Sequence, residues 1–172
     1  MSKGYSGLFS GTKGDRYSLS DLAAAEIIIR SPGEYENDYR MFDYIAKRKD
    51  IDPNGIIDVV AHGTPTDISV LTKNGVKEID SRTLSHMIGQ KRNGKNKKEI
   101  RLLSCSTGAS PTGFAQNLAN KLNTIVYAPT DILWIRPNGT YFVAPRSKVD
   151  PSKPDPIKRG RFAKFKPGGN RR

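Results

Sequence analysis

A single thiol and one of two imidazoles each follow a short apolar run. Cys105 is the only cysteine among 172 residues and follows the run at 100–104, and His62 follows the run at 56–61. A free thiol has a pKa of about 8.5, and a neighbouring imidazole raises the fraction that is thiolate. Brought together, Cys105 and His62 could perform nucleophilic catalysis.

Further features around these two residues suit acyl transfer. The backbone N–H groups of Gly63 and Cys105 could hold a developing oxyanion, and glycine at 63 lets a substrate carbonyl approach the backbone closely. Two alternatives stay open: Cys105 could be an inert core residue, and His62 could cap a strand within a turn. Asp58 and His86 receive no assigned role.

The pattern of apolar runs predicts how these residues are positioned. Runs at 56–61, 100–104 and 124–128 alternate with helical patterns at 81–90 and 111–122. We expect an α/β fold in which a small, mostly parallel sheet is flanked by helices. Asn-Gly pairs at 74–75 and 138–139 predict one or two β-hairpins. Because neighbouring strands lie about 4.8 Å apart and sites form beyond their carboxyl ends, His62 and Cys105 would meet at one edge.

Composition divides the chain into three parts. Residues 1–16 are rich in Gly, Ser and Lys and predict a flexible lead-in. Residues 17–145 are expected to form the domain that carries the candidate site, beginning with helices expected at 18–30 and 37–49. Residues 146–172 form a basic extension of mainly irregular structure that could pack on the domain.

The composition also excludes several classes of protein. No run of 18 apolar residues exists, so no membrane span is expected, and no signal-peptide pattern is visible. One cysteine excludes an internal disulfide and a cysteine-rich metal site. His62 and His86 show no ligand spacing, so we predict neither a metal nor another cofactor.

The formal net charge of +12 is concentrated near the C-terminus. Residues 146–172 carry ten Lys/Arg and two Asp, which gives +8, and a second basic cluster lies at 91–98. Such charge favours an anionic partner, whether a nucleic acid, a membrane surface or an acidic protein. A solvated loop and tail is the alternative.

The order of the motifs resembles a known group of enzymes. A strand ending in His62-Gly63, followed after about forty residues by a strand ending in Ser104-Cys105, resembles the caspase-like (clan CD) cysteine peptidases. The order opposes the papain-like enzymes, in which cysteine comes first. The resemblance implies that Cys105 is the nucleophile, that His62 is the general base or acid, and that Gly63 is an oxyanion donor. The Gln-Ala-Cys pattern of caspases is missing, so no substrate preference carries over.

A second resemblance covers residues 56–169. The segments at 102–108, 114–119 and 126–131, with Trp134, the Pro-Asn-Gly at 137–139 and the closing 165–169, look like the C-terminal toxin modules of bacterial polymorphic toxins (Rhs and contact-dependent inhibition proteins). This resemblance implies delivery by a larger bacterial toxin, action on a protein in the target-cell cytoplasm, and a cognate immunity protein.

Several functions are compatible with these observations. The first is a toxin domain with a Cys-His dyad that cleaves a target-cell protein. Glutamine deamidation or transpeptidation would use the same dyad. A basic nuclease-type toxin is motivated by the charged extension, although the paired histidines or carboxylates that nuclease chemistry usually needs are missing. A non-catalytic binding module is the remaining alternative.

Overall fold

The computed structural model describes residues 8–10, 44–52, 55–72, 75–92 and 98–168. The strands are β1 (Leu8–Ser10), β2 (Ile56–Val60), β3 (Ile68–Thr72), β4 (Gly75–Ile79), β5 (Glu99–Leu103), β6 (Val126–Pro129), β7 (Leu133–Ile135), β8 (Tyr141–Val143) and β9 (Phe162–Phe165). The helices are α1 (Ser81–Arg92) and α2 (Phe114–Leu122).

A five-stranded sheet in the order β1-β2-β5-β6-β9 forms the centre of the fold. Strands β2, β5 and β6 run parallel, and β1 and β9 pair antiparallel at the two edges. Two antiparallel hairpins, β3–β4 and β7–β8, lie outside this sheet. The predicted α/β fold with helices, a mostly parallel core and two hairpins is confirmed.

One face of the central sheet, called here the helix face, packs against α1 and α2. Alternate residues of the parallel strands point to this face because side chains in a strand alternate between its two sides. Its buried apolar residues form one core: Ile57, Val59, Ala61, Ile68, Leu84, Ile88, Ile100, Leu102, Phe114, Ala115, Leu118, Ala119, Val126, Ala128 and Phe165. Burial of each large side chain contributes about 1.5–3 kcal/mol, so this core supplies the main stabilisation of the fold.

The opposite face, called here the hairpin face, is covered by β7–β8 and by the residues around Ile45. A second buried cluster on this face consists of Ile45, Val60, Leu103, Leu133 and Val143. The turn of the hairpin touches the Ile45 segment, because a Cβ at Gly139 would lie 2.7 Å from the Arg48 backbone nitrogen. Gly139 has a φ of 92°, which an L side chain rarely adopts.

Both edge strands come from segments that were expected to lie outside the sheet. β1 belongs to the predicted lead-in, and β9 belongs to the basic extension, which was expected to be mainly irregular. Val126 pairs with Phe165 and Pro129 pairs with Phe162, so β9 covers an otherwise open edge of β6. Residues 146–161 are mostly irregular, as expected, whereas β9 joins the extension to the central sheet.

Two helix predictions fall largely outside the described residues. The helix expected at 18–30 lies entirely outside them. Of the helix expected at 37–49, the structure describes its end, with Tyr44 and Ile45 helical. No helix in the described ranges is long and apolar enough to cross a membrane.

Candidate active site at the carboxyl edge of the sheet

His62 and Cys105 lie at the same edge of the central sheet. β2 and β5 are adjacent and parallel, and the last pair in their register is Val60 with Leu103. Each candidate residue follows its member of that pair by two positions. The Ala61 N–H donates to the Leu103 carbonyl at 3.4 Å, which continues the contact between the chains beyond the strands. The expected adjacency of the two segments is confirmed.

Because side chains alternate between the two faces of a strand, the position of Cys105 two residues after Leu103 determines which face of the sheet its thiol lies on. Val60 and Leu103 belong to the buried cluster of the hairpin face, and Cys105 packs against that cluster. Four residues before His62 and Cys105, Asp58 lies opposite Arg101 in the same register. The hairpin face therefore carries an ionic pair, then an apolar pair, and then the positions of His62 and Cys105 at the carboxyl edge.

Gly63 lies directly against the loop that carries the thiol. A Cβ at this position would lie 2.7 Å from the Cys105 carbonyl oxygen, 2.8 Å from Thr107 Cγ2 and 3.0 Å from Ser104 Cβ. Such distances leave no room for a larger residue. Among the described residues, the backbone N–H groups of Gly63 and Cys105 donate no hydrogen bond to another protein atom. Neither amide is therefore committed to a protein acceptor in that part of the chain.

The start of α2 holds both loops together. The Phe114 N–H donates to the Pro65 carbonyl at 2.9 Å, and the Ala115 N–H donates to the Thr107 carbonyl at 3.1 Å. The helix begins at Phe114 and not at 111 as predicted. Its first amides are therefore bound by the loop after β2 and by the loop after β5.

The turn after Cys105 is fixed by several hydrogen bonds. Ser106 has a φ of 60°, a conformation that costs a non-glycine residue on the order of 1 kcal/mol. Its N–H donates to the Asp131 carbonyl at 3.0 Å, and the Gly108 N–H donates to the Pro129 carbonyl at 2.8 Å. The loop after β6 thus defines where the Cys105 backbone lies.

The environment of the thiol favours its neutral form. Cys105 is only partly exposed, and burial raises the pKa of its thiol above the ordinary value. Two groups act in the opposite direction on this pKa, because the Leu133 N–H donates to Sγ at 3.4 Å and the Arg146 guanidinium is close enough to favour the thiolate. The Asp131 carboxylate raises the pKa further.

Asp58 is part of a buried ionic network, a role that the sequence analysis did not predict. Its side chain is 1% exposed. Arg48 donates from Nε and from its terminal nitrogen to Asp58 Oδ2 at 2.9 and 2.7 Å. Arg101 donates to Oδ1 at 2.7 Å and to Oδ2 at 2.8 Å. The signal in the sequence is an aspartate inside one apolar strand and an arginine inside the next.

The network extends to the surface through Asp50. Arg101 donates to Asp50 Oδ2 at 3.0 Å, and the Tyr141 hydroxyl donates to the same oxygen. Tyr141 belongs to β8. The network therefore joins the central sheet, the segment after Ile45 and the hairpin β7–β8, which together enclose the apolar cluster beneath the thiol.

The remaining candidates lie elsewhere. His86 is exposed on α1, on the helix face. No group of three or more His, Cys, Asp or Glu residues in the described part of the chain could hold a metal ion. An open depression of about 490 Å³ is at the amino end of β5 and β6, far from the thiol, and is lined by Glu99, Asn123, Thr124, Ile125, Lys166 and Pro167.

Comparison with known families places the chain in one of them. Residues 33–143 match the family described as "Domain of unknown function (DUF8616)", and the chain belongs to that family. The matched range contains β2–β8 together with both His62 and Cys105. No curated protein and no solved structure matches the chain.

Proposed function

We propose that this protein catalyses thiol-dependent acyl transfer, with Cys105 as the nucleophile and His62 as the general base, and that its reaction is hydrolysis of a peptide bond in a protein substrate. The observation that carries the proposal is the register of β2 and β5. It brings a thiol loop and an imidazole loop side by side at the carboxyl edge of parallel strands, where α/β proteins place their sites.

The thiol environment indicates how the reaction would begin. Because burial favours the neutral thiol, a preformed thiolate is not the resting state. His62 would accept the proton as Sγ bonds to the substrate carbonyl carbon. The N–H groups of Gly63 and Cys105 would donate to the oxyanion of the tetrahedral intermediate. The Leu133 N–H, which donates to Sγ, would stabilise negative charge on sulfur when it develops.

The intermediate would collapse by breaking the C–N bond. The protonated His62 would give its proton to the leaving amine, and the acyl group would remain on Cys105 as a thioester. Water, deprotonated by His62, would then attack the thioester carbonyl and release the acid and the thiol. If the acyl donor is a glutamine side chain, the same steps release ammonia, so deamidation is an alternative with identical machinery.

The biological setting that we propose is a toxin domain. This part rests on the likeness of residues 56–169 to toxin modules of bacterial polymorphic toxins. It implies delivery by a larger protein, a substrate protein in the target cell, and a cognate immunity protein. The catalytic steps above require no metal or other cofactor.

Expression in a bacterial host tests the proposal. We expect wild type to inhibit growth, and Cys105→Ala and His62→Ala each to abolish inhibition while circular dichroism shows a retained fold. His86→Ala is the matched control, since it removes an exposed imidazole on α1, and it should remain inhibitory. Whole-proteome mass spectrometry should reveal a cleaved protein, or a protein shifted by about one mass unit for deamidation. Growth inhibition by both active-site variants, or degraded nucleic acid, would refute the proposal.

A further inference from the structure

The outer side of the hairpin β7–β8 carries two aromatic side chains. Leu133 and Val143 face the buried cluster, and Trp134 pairs with Phe142 at the next position in the register. Because strand residues alternate between faces, Trp134 and Phe142 lie on the side away from that cluster. Both residues are partly exposed.

Three arginines lie against these two rings. The Arg136 guanidinium carbon is 4.5 Å and that of Arg159 is 4.9 Å from the centroid of the Phe142 ring. The Arg146 guanidinium carbon is 5.9 Å from the centroid of the Trp134 ring. We refer to these five residues as the arginine–aromatic face. The positions of its guanidinium groups are set by contact with rigid rings.

Each of the three arginines is also fixed by a hydrogen bond from Nη1. Arg136 donates to the Thr140 hydroxyl at 3.2 Å, Arg146 donates to the Pro151 carbonyl at 2.8 Å, and Arg159 donates to the Asp155 carbonyl at 2.8 Å. None of the three forms an ion pair with a carboxylate in the described part of the chain. The remaining N–H groups of these guanidinium ions are donors that suit an external anion.

The two arginines of the buried network differ from these three in how their charge is compensated. Arg48 and Arg101 both donate to the Asp58 carboxylate, so their charges are compensated inside the fold. The arginines of the arginine–aromatic face are exposed, ordered by rings and loops, and uncompensated by a carboxylate in the described residues. Ordering before binding lowers the entropy cost of binding a ligand.

We propose that the arginine–aromatic face is a docking surface for an acidic polypeptide segment. A planar guanidinium matches the two oxygens of a carboxylate, and arginine with tryptophan dominates the strongest contacts of protein interfaces. A single-stranded nucleic acid would also stack its bases on open aromatic rings. Two guanidinium groups already lie over Phe142, so this ring supports cations.

The arginine–aromatic face lies on the outer side of the hairpin whose inner side packs against Cys105. Leu133, whose N–H donates to Cys105 Sγ, directly precedes Trp134, and the Arg146 charge acts on the thiol. An acidic chain bound here would lie on the outer side of the hairpin that covers Cys105. Its identity as the protein substrate rests on the proposed function, whereas binding to the face requires no catalysis.

Fluorescence anisotropy with the full chain and labelled poly-L-glutamate tests the proposal. At ~0.15 M ionic strength, we expect Arg136→Gln/Arg159→Gln to weaken binding by about tenfold, through the loss of two charge-assisted contacts. The matched control is Arg82→Gln/Lys121→Gln, which removes the same charge from exposed positions of α1 and α2. We expect the control to change the affinity by less than about twofold. Arg159→Lys should weaken binding by about threefold, because it keeps the charge and loses the planar group.

Labelled oligothymidylate is the competing probe. We expect the affinity for oligothymidylate to fall by the same amount in the two double variants, because its attraction to a basic chain is general. Equal losses of poly-L-glutamate binding in the two double variants would overturn the docking surface. Tighter oligothymidylate binding that depends on Arg136 and Arg159 would replace the acidic polypeptide by a nucleic acid. The two binding measurements require no catalysis. If Cys105 proves catalytically inactive, the proposed function is refuted, but the test of the docking surface is unaffected.

Discussion

Asp58 lies opposite Arg101 in the register of the two central parallel strands, and Arg101 donates to both of its carboxylate oxygens at 2.7 and 2.8 Å. Arg48 approaches the same carboxylate from the covering segment at 2.7 Å. A carboxylate with 1% exposure is stable in a core only when its charge is compensated. This network therefore fixes the segment after Ile45 to the sheet, beneath the apolar pair that precedes His62 and Cys105.

Replacement of this carboxylate should be strongly destabilising. We expect Asp58→Asn to lower the free energy of unfolding by about 3–5 kcal/mol, because it removes the buried negative charge to which both Arg48 and Arg101 donate. Urea unfolding followed by circular dichroism measures the loss. In the control Asp150→Asn, the aspartate is exposed and its lysine partner is 4.0 Å away, so the midpoint should hardly move. Equal midpoints for wild type and Asp58→Asn would show that the network contributes no stability.

A second prediction compares two glycines. Gly63→Ala would place a Cβ 2.7 Å from the Cys105 carbonyl oxygen, so the two loops must separate, and we expect lower stability together with loss of growth inhibition. At Gly89, within α1, a Cβ would meet nothing within 4 Å. Gly89→Ala should therefore stabilise the protein by about 0.5–1 kcal/mol, since alanine favours helix.

Thermal unfolding of the two glycine variants provides the measurement, and growth assays separate stability from activity. A Gly63→Ala protein with wild-type melting temperature and wild-type inhibition would mean that the close approach of the loops is not required. A Gly89→Ala protein that is less stable than wild type would contradict the open space beside this position.

Local patterns in the sequence predicted most of the architecture. The apolar runs gave β2, β5 and β6 within about two residues at each end. The Asn-Gly dipeptides correctly located both hairpins, since few residues other than glycine and asparagine suit a tight turn. The same patterns predicted that the loops carrying His62 and Cys105 follow neighbouring strands, and the parallel pairing of β2 with β5 confirms that adjacency.

Non-local partners were beyond this reasoning. β9 lies in a segment rich in Pro, Lys and Arg, and only its pairing with β6, more than thirty residues earlier, makes it a strand. Asp58 was left unassigned because its arginine partners are separated from it by 10 and 43 residues. Charges that compensate each other inside a core are selected by the tertiary structure, and the composition of a strand does not reveal them.

The raised pKa of the thiol predicts how Cys105 reacts with an alkylating agent. Because burial favours the neutral thiol, the iodoacetamide rate should rise with pH through a midpoint above about 8.5, the value of a free thiol. Arg146→Gln removes a cation that lowers the pKa and should slow alkylation at neutral pH. Asp131→Asn removes an anion that raises the pKa and should accelerate it.

Mass spectrometry of the quenched protein follows the alkylation reaction. Lys121→Gln, which removes an exposed charge from α2, is the control and should leave the midpoint in place. If Arg146→Gln and Asp131→Asn shift the midpoint in the same direction, the shifts reflect a change in the fold and not the two charges.

The last prediction concerns stability at high pH and follows from Tyr141. Burial and the hydrogen bond to Asp50 raise the pKa of its hydroxyl far above the ordinary value of about 10. The folded protein therefore holds this proton more tightly than the unfolded chain. The stability contributed by this hydroxyl is fully present below pH ~10 and is lost above it, at up to about 1.4 kcal/mol per pH unit.

Urea unfolding of a Cys105→Ala background, in which the thiol cannot titrate, isolates the effect. Tyr141→Phe should reduce the fall in the free energy of unfolding above pH ~10. Tyr127→Phe should reduce it less, because the pKa of the Tyr127 hydroxyl is raised by a smaller amount. A decline that is equally steep with and without the Tyr141 hydroxyl would assign the alkaline sensitivity to other groups.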